Sequence, residues 1–568
     1  MDHRVRFRGE THVTHSATES MITFAPDTLR TPVVFSGSLN ESLAFREAFA
    51  VLAEVSTMNH HLVRPRCVSE LSFWYKSRDS EAMAEYLAHY DEKGGKHKQI
   101  RQDLRALRYS SFSRIRNFYK AKRSYLDYLI HKRYGAALIA YPLLTVGSDE
   151  LFVECLSQDE TVYARLSCDY SAFENVREIV KGTTHIDFQL GAKADFEKIR
   201  DYKNTILRVD PDAWNEEDGQ EDNERDMAWG IPDSWVRSLL QISSAMTRKM
   251  SRFRLQSMDL FNICDQLRRR RARHAPSALR FELVPAEPVK VVLEPWETEI
   301  KCPRSVYTGE HRHSFRMWNR RGLLLLEKLI PVARDFSVYV GGTGEPVFFV
   351  AHMGPVSLTF ALTGWHSEQW GRQGMVDLMS SANDVDEFVQ MRVIKALRKS
   401  GVDTEKSLAR QLEQEPSIIS RALQVQAQSG QVLYDLDKNV YRIRDLFANP
   451  VSHDQYRYAS DTERKAYALA NGKQVSIDET RQQDGFLHVL GSVRDLAITF
   501  QPDLIIDADQ ILIDASCYCQ HYMEHKLKNG PCEHMLALRI QMSREGLSAE
   551  SCPQAVEAEK VSGQSVES

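Results

Sequence analysis

The sequence lacks any apolar run long enough to cross a bilayer. The longest, GAALIAYPLLTVG, is short and interrupted by Pro142. Its opening stretch, MDHRVRFRGETHVTHS, has no apolar core of the kind that marks a secretory signal. Nine cysteines form an odd set without regular pairing, which argues against a disulfide framework and for a reducing compartment. Together these absences predict a cytoplasmic protein with no membrane partner. Net charge is small, -5, which excludes a wholesale nucleic-acid coat and leaves only local basic patches. The run GGTG is not followed by Lys and Ser or Thr, so it is no phosphate-binding loop, and any ATPase work would belong to a partner. His185 and Asp187 in GTTHIDF stand two apart like an acid/base pair. Neither has a nucleophile or a Gly-rich loop beside it, and a structural role is expected.

What is present is a chain of 568 residues, too long for one core and of the size of about three or four domains. The pattern predicts an α+β, multidomain protein. Residues 1–30 are polar and aperiodic and read as a flexible arm. Residues 31–274 read as a mixed α/β region, with the helix LNESLAFREAFAVLAEVS and the strands ALIAYPLLTV, LFVECLS and YARLSC. An acidic spacer, NEEDGQEDNERD at 215–226, is too charged to pack. Residues 275–385 read as a β-rich middle domain, with LRFELVP, VKVVLEP, FSVYVGG, PVFFVAH and VSLTFALTGW around one helix, WNRRGLLLLEKLIPVA.

Two basic regions stand out. Residues 96–133 interleave Lys and Arg with aromatics, a mix that suits an acidic partner or nucleic acid but also a solvated helical face over a core. The run Arg268, Arg269, Arg270, Arg271 and Arg273 ends a helix. It could contact phosphate or an acidic protein surface, or simply complement the negative end of the helix dipole.

Residues 386–448 carry three helical patterns, EFVQMRVIKALRKSG, TEKSLARQLE and PSIISRALQVQAQSG, then QVLYDLDKNVYRIRDL, a hairpin turning at Asp437 to Asn439. Pro416 starts the third helix and Gly430 ends it, with Ile394, Leu397, Leu408, Leu412, Ile419 and Leu423 as the small core. The order resembles a winged-helix domain. In a DNA-reading role, Arg421 on the third helix and Lys438, Arg442 and Arg444 on the hairpin would meet phosphates. The neighbouring Glu413 and Glu415 weaken that attraction and leave protein docking open.

Near the end, in SCYCQHYMEHKLKNGPCEHMLALR, stand Cys517, Cys519, Cys532 and His534 in Cys-x-Cys, Cys-x-His order. Two thiols two apart on a strand face one side, and a helix opening at Pro531 would favour the Cys532 thiolate. Three sulfurs and one imidazole close a zinc tetrahedron, the arrangement of a structural rather than a catalytic Zn2+. Cys552 has no ligand partner near it in the polar tail, 546–568.

This spacing resembles the SWIM zinc finger, whose pattern is Cys-x-Cys, a variable loop, then Cys-x-His before a helix. The resemblance implies a β-hairpin-plus-helix zinc module over 454–545, with all four ligand positions matched. GTTHIDF, IPDSWVRSLLQI and GWHSEQWGRQGMVDLM resemble stretches of bacterial SWIM-containing proteins and extend the likeness along the chain. SWIM domains contact DNA or proteins, and bacterial members accompany MoxR-type AAA+ ATPases and von Willebrand A proteins. The resemblance therefore implies a non-enzymatic adaptor docking through the arginine run and through Lys526 and Lys528 in the knuckle loop. A DNA-binding regulator is the rival. His521, Glu524 and His525 spell the His-x-x-Glu-His order of an inverted zinc peptidase, but a long helix there would compete with closing the Cys3His site.

Overall fold

The computed structural model describes residues 4–9, 11–58, 141–187, 195–211, 229–272, 275–365, 378–379, 385–447, 453–483, 485–527 and 530–547. The basic stretch 96–133, the acidic spacer and most of GWHSEQWGRQGMVDLM lie outside these residues. In chain order come β1 (Arg4–Val5), β2 (His12–His15), β3 (Glu19–Phe24), β4 (Val34–Leu39) and α1 (Ser42–Thr57). Then follow β5 (Leu143–Val146), β6 (Glu150–Leu156), β7 (Val162–Asp169), β8 (Phe173–Val180), β9 (Gly182–His185) and β10 (Asn204–Val209). After β11 (Trp229–Gly230) and α2 (Asp233–Met246) come β12 (Ser251–Gln256), α3 (Ser257–Arg269), β13 (Leu279–Leu283), β14 (Pro288–Leu293), β15 (Thr298–Val306) and β16 (His313–Met317). A 3-10 segment, Arg320–Leu329, leads to β17 (Asp335–Val340), β18 (Val347–Met353) and β19 (Val356–Leu362).

The centre is an eight-stranded antiparallel sheet in the order β12-β17-β18-β19-β7-β6-β5-β9. Its middle strands are buried on both faces, which is why LFVECL and VFFVAHM read as nearly continuous apolar runs rather than alternating ones. One face, with Leu151, Val153, Leu166, Val338 and Phe360, packs on α1 and α3. The other, with Phe152, Tyr163, Phe348 and Val350, packs on Leu240 and Ile242 of α2 and on Leu433 and Leu436 further along the chain. A five-stranded sheet, β2-β3-β10-β4-β8, and a four-stranded one, β15-β14-β13-β16, complete this part.

Three sequence expectations change here. The described residues of 1–30 are not an arm: β3 is laid down beside β10 and β2 beside β3, and Ile22 and Phe24 are wholly buried. Apolar residues at alternate positions of a short strand give too weak a signal to stand out in a polar segment. The boundary at 274/275 dissolves as well, because β19 pairs along its whole length with β7 and fuses the two regions into one sheet. The expected α-helix over WNRRGLLLLEKLIPVA is a 3-10 segment instead.

The chain continues with α4 (Glu387–Ser400), β20 (Val402–Asp403), α5 (Glu405–Leu412), α6 (Pro416–Gln428), β21 (Val432–Asp435) and β22 (Val440–Ile443). Three helices and a three-stranded sheet, β20-β22-β21, surround a small core in which Leu397, Leu408, Leu412, Ile419 and Leu423 are buried and Ile394 is partly so. Asp386 caps α4 by accepting from the Phe388 N–H, Thr404 caps α5 likewise, and Pro416 occupies the first turn of α6. Gly430, at φ +78°, reverses the chain where a Cβ would press on Leu446.

The last part holds α7 (His453–Tyr456), α8 (Asp461–Asn471), β23 (Val475–Gln483), β24 (Phe486–Asp495), β25 (Ile498–Phe500), β26 (Asp503–Ile506), β27 (Leu512–Ser516), α9 (Gln520–His525) and α10 (Glu533–Arg544). Its sheet runs β23-β24-β26-β27, with β25 folded back on β24. Asp509, in the β26–β27 turn, ties this part to the four-stranded sheet by accepting from the Ser277 N–H and hydroxyl (2.8 and 2.6 Å) and from the Trp318 indole (3.2 Å). The architecture is α+β and multidomain. Among the described residues, no helix is long and apolar enough to cross a membrane.

Candidate metal centre

Three short elements carry the ligands. β27 ends at Ser516 and delivers Cys517, Cys519 is the residue before α9, and Cys532 is the residue before α10. His534 is the second residue of α10. Two details differ from expectation. Cys517 and Cys519 lie past the strand, so a turn and not the strand pleat brings their thiols together. Pro531 precedes α10 rather than opening it, and Cys532 takes the cap position. The free N–H groups of both helix starts do face sulfur, but the pull of those of Tyr522 and Met535 toward the charged forms is outweighed, at Cys532 by the hydrogen bond to Cys517 and at Cys519 by burial.

All four side chains are buried, and their donor atoms lie within 4.8 Å of one another. His534 Nδ1 is 3.9 Å from Sγ of both Cys517 and Cys532. Tetrahedral coordination at usual metal–sulfur and metal–nitrogen distances puts such donors about 3.6 Å apart, so the cluster fits an ion with little movement. The residues present could hold a metal ion. Protons are already shared unevenly: the Cys532 thiol, hydrogen-bonded to Cys517, pulls the Cys517 thiol down to about 4, with His534 adding to the effect. The same hydrogen bond pushes Cys532 up, and burial raises Cys519.

A second layer, which the sequence reading missed, orients the imidazole. His534 Nε2 faces Asp495 Oδ2 at 3.4 Å, and the Phe500 ring stacks on it at 4.0 Å. A carboxylate on the far nitrogen fixes the ring and strengthens the near nitrogen as a donor. Asp495 lies far upstream at the end of β24, where nothing local marks it as a partner. Among the described residues, His521 and His525 join no further His, Cys, Asp or Glu into a group of three donors. Their segment forms a helix of only six residues, α9, with the two rings 5.3 Å apart.

The expected phosphate-binding cations are placed differently from one another. Arg421 is exposed and bonds the Ser417 carbonyl. Arg442 and Arg444 are turned inward, which corrects the expectation for those two, while Lys438 is exposed at the hairpin tip and engaged in ion pairs. Arg444 is fully buried, 2.8 Å from Glu154 and 2.7 Å from the Ser243 hydroxyl. Arg442 meets Asp149, Glu150 (3.1 Å) and Asp435 (3.5 Å), and Lys438 meets Glu150 (2.8 Å) and Asp169. Arg165, from the sheet, reaches Asp435 at 3.1 Å. Burial opposes these charges, and Arg165 and Arg442 together hold Asp435 down at about 2, while Glu150 is raised chiefly by its own burial. The physical reason is location: β22 lies over the acidic stripe of β6, so Arg442 and Arg444 pair there out of reach of solvent.

At the rim of this contact Ser337 Oγ lies 2.9 Å from His352 Nε2, with Asp437 Oδ2 3.5 Å from Nδ1. The order is that of a nucleophile relay, but Ser337 is wholly buried and can meet no carbonyl substrate. The three groups act as a latch between the hairpin turn and the sheet. In the arginine run, Arg268 pairs with Glu327, Arg269 with Asp265 (3.0 Å), and Arg270 bonds Thr298, while Arg271 is exposed. Lys526 is exposed over the Tyr522 ring, and Lys528 lies outside the described residues. His185 bonds the Tyr141 carbonyl, and its own carbonyl accepts from Asp27, which ties GTTHIDF into the sheet edge.

No family model and no curated protein matches the chain. Among solved structures, the crystal structure of proliferating cellular nuclear antigen from Entamoeba histolytica is similar at 12% identity and a TM-score of 0.28, covering 40% of this chain and 90% of that one.

Proposed function

We propose that this chain is a non-enzymatic scaffold, stabilised by one structural zinc ion, that joins other proteins as an adaptor. The observation that carries the reading is the buried Cys3His set, whose four donors would complete a tetrahedron around one ion and so leave no position for water or substrate. Zinc would pin β27, α9 and α10 to one another beside the small core of Leu504, Ile506, Met535 and Leu538, while Asp495 and Phe500 hold His534 in place. The SWIM resemblance supports the same reading, and through its bacterial members a MoxR-type AAA+ ATPase is the proposed partner, with a von Willebrand A protein in the same assembly. The rival, a DNA-binding regulator, retains Arg421 on α6 but loses Lys438, Arg442 and Arg444 to internal pairs, so protein docking is favoured.

Metal analysis of purified protein tests the first half. One zinc per chain is expected, with none in Cys517→Ser or His534→Ala, and stoichiometric zinc in both variants would sink the assignment. Affinity capture from native extract with and without nuclease tests the second. An AAA+ ATPase that stays bound after nuclease supports the adaptor, and proteins released by nuclease would favour DNA.

A further inference from the structure

Away from the metal centre, two sheets end side by side. β12 is the terminal strand of the eight-stranded sheet and β15 the terminal strand of the four-stranded one. At one end they are stitched together: the Gln256 N–H donates to Ser305 Oγ, and Ser305 Oγ donates to the buried Asp259. Beyond the stitch lies a groove of about 390 Å3, lined by Arg252, Arg254, Gln256, Arg304, Val306 and Thr308.

Its charge is one-sided. Arg252, Arg254 and Arg304 are 47%, 54% and 58% exposed, and each has its nearest carboxylate, on Asp437, Asp335 and Asp259, at 3.7 Å. That is too long for the paired, short hydrogen bonds a guanidinium makes with a committed carboxylate; Arg252 in addition donates to Ser337 Oγ at 3.0 Å and lies over the Tyr339 ring, so Arg254 and Arg304 are the freer pair. Val306 on β15 is exposed, and so are Met258 and Phe261 on α3, the helix packed against β15. An unpaired strand edge is a template for another strand, and charged side chains on it select which strand is admitted. Here the arginines repel a second copy of the same edge and attract carboxylates.

We infer that this groove binds an acidic peptide segment of a partner protein in extended form, added as a strand to β12 or β15. Its carboxylates pair with Arg252, Arg254 and Arg304, and its alternate apolar residues lie on Val306. The inference does not rest on the metal centre and holds whether or not the C-terminal cluster takes zinc.

The test uses the full-length protein and a fluorescent peptide of about ten residues alternating Glu and Val, the length of an ordinary strand. Fluorescence anisotropy is expected to show saturable binding, weakened about tenfold or more in the Arg254→Gln/Arg304→Gln double variant and for the peptide alternating Gln and Val. On peptide addition, amide hydrogen exchange slows at 252–256 or 304–308. Absence of saturable binding, or equal binding by the double variant, overturns the proposal. Exchange slowed only elsewhere overturns strand addition. A duplex oligonucleotide that displaces the peptide with a steep salt dependence assigns the groove to nucleic acid instead, and concentration-dependent self-association abolished by the double variant assigns it to a second copy.

Discussion

The C-terminal cluster and the β21–β22 hairpin were both singled out by residue type, and they came out opposite ways. Cys517, Cys519, Cys532 and His534 converge as their spacing requires, within 4.8 Å. Lys438, Arg442 and Arg444, set on a hairpin where a DNA reader would carry them, instead face Glu150, Glu154, Asp149 and Asp169 across the sheet contact. A soft-metal site is local: its donors lie within a few residues of one turn and two helix starts, and few other arrangements use such residues. A cation is generic, and its role is set by whichever acid the tertiary fold brings near it.

The comparison can be broken most forcefully at the cluster. Replacing Cys517 with Ser or His534 with Ala is expected to remove the metal and, with it, on the order of 10 kcal/mol of folding free energy from the C-terminal part. Hydrogen exchange should then quicken over β27 and α10 while β6 and β7 stay protected. Next in size is the hairpin contact. Arg444→Ala leaves Glu154 charged and buried, a loss of about 3 to 5 kcal/mol in urea unfolding. Adding Glu154→Leu to Arg444→Met should recover most of it, because both buried charges then disappear; failure to recover would mean that Arg444 acts through Ser243 alone.

A smaller change sharpens the contrast between donors and their support. Asp495→Asn keeps every ligand but loosens His534, and metal affinity measured by chelator competition should fall about 10- to 100-fold. The hairpin contact also has an acid limit. Asp435 is held near 2 against an ordinary 3.8, so its contribution, ~2 kcal/mol at neutral pH, is complete above the ordinary value and fades as pH falls from about 4 to about 2. Glu150, raised by burial, works in the opposite sense, since its protonation relieves a buried charge as pH falls. Comparing acid titrations of wild type and Asp435→Asn isolates the first effect; identical curves would refute it. The least effect belongs to Arg269, a surface pair with Asp265 one helical turn away, where Arg269→Ser should shift stability by no more than about 0.5 kcal/mol in thermal unfolding.

Much of the local structure was legible. α4, α5 and α6 begin and end where Asp386, Thr404, Pro416 and Gly430 direct, because caps and turn residues act within a few positions. The strands β13, β14, β17, β18 and β19 stand where their apolar runs indicate. Their grouping was not legible: β13 and β14 belong to one sheet and β17 to β19 to another, completed by β5 to β7 from far upstream. β2 and β3 were hidden for the same reason, since their burial comes from β10, about 180 residues away along the chain.

By itself, then, the sequence determined the helices and strands that local chemistry enforces, and the four donors of a metal centre, whose identity and spacing are their own signal. Only the tertiary structure decided that Asp495 supports His534, that the hairpin cations are spent within the fold, and that β12 and β15 end together beside three half-exposed arginines. Those outcomes depend on which distant strand becomes a neighbour, and that choice minimises the exposed apolar surface of the whole chain rather than satisfying any single segment.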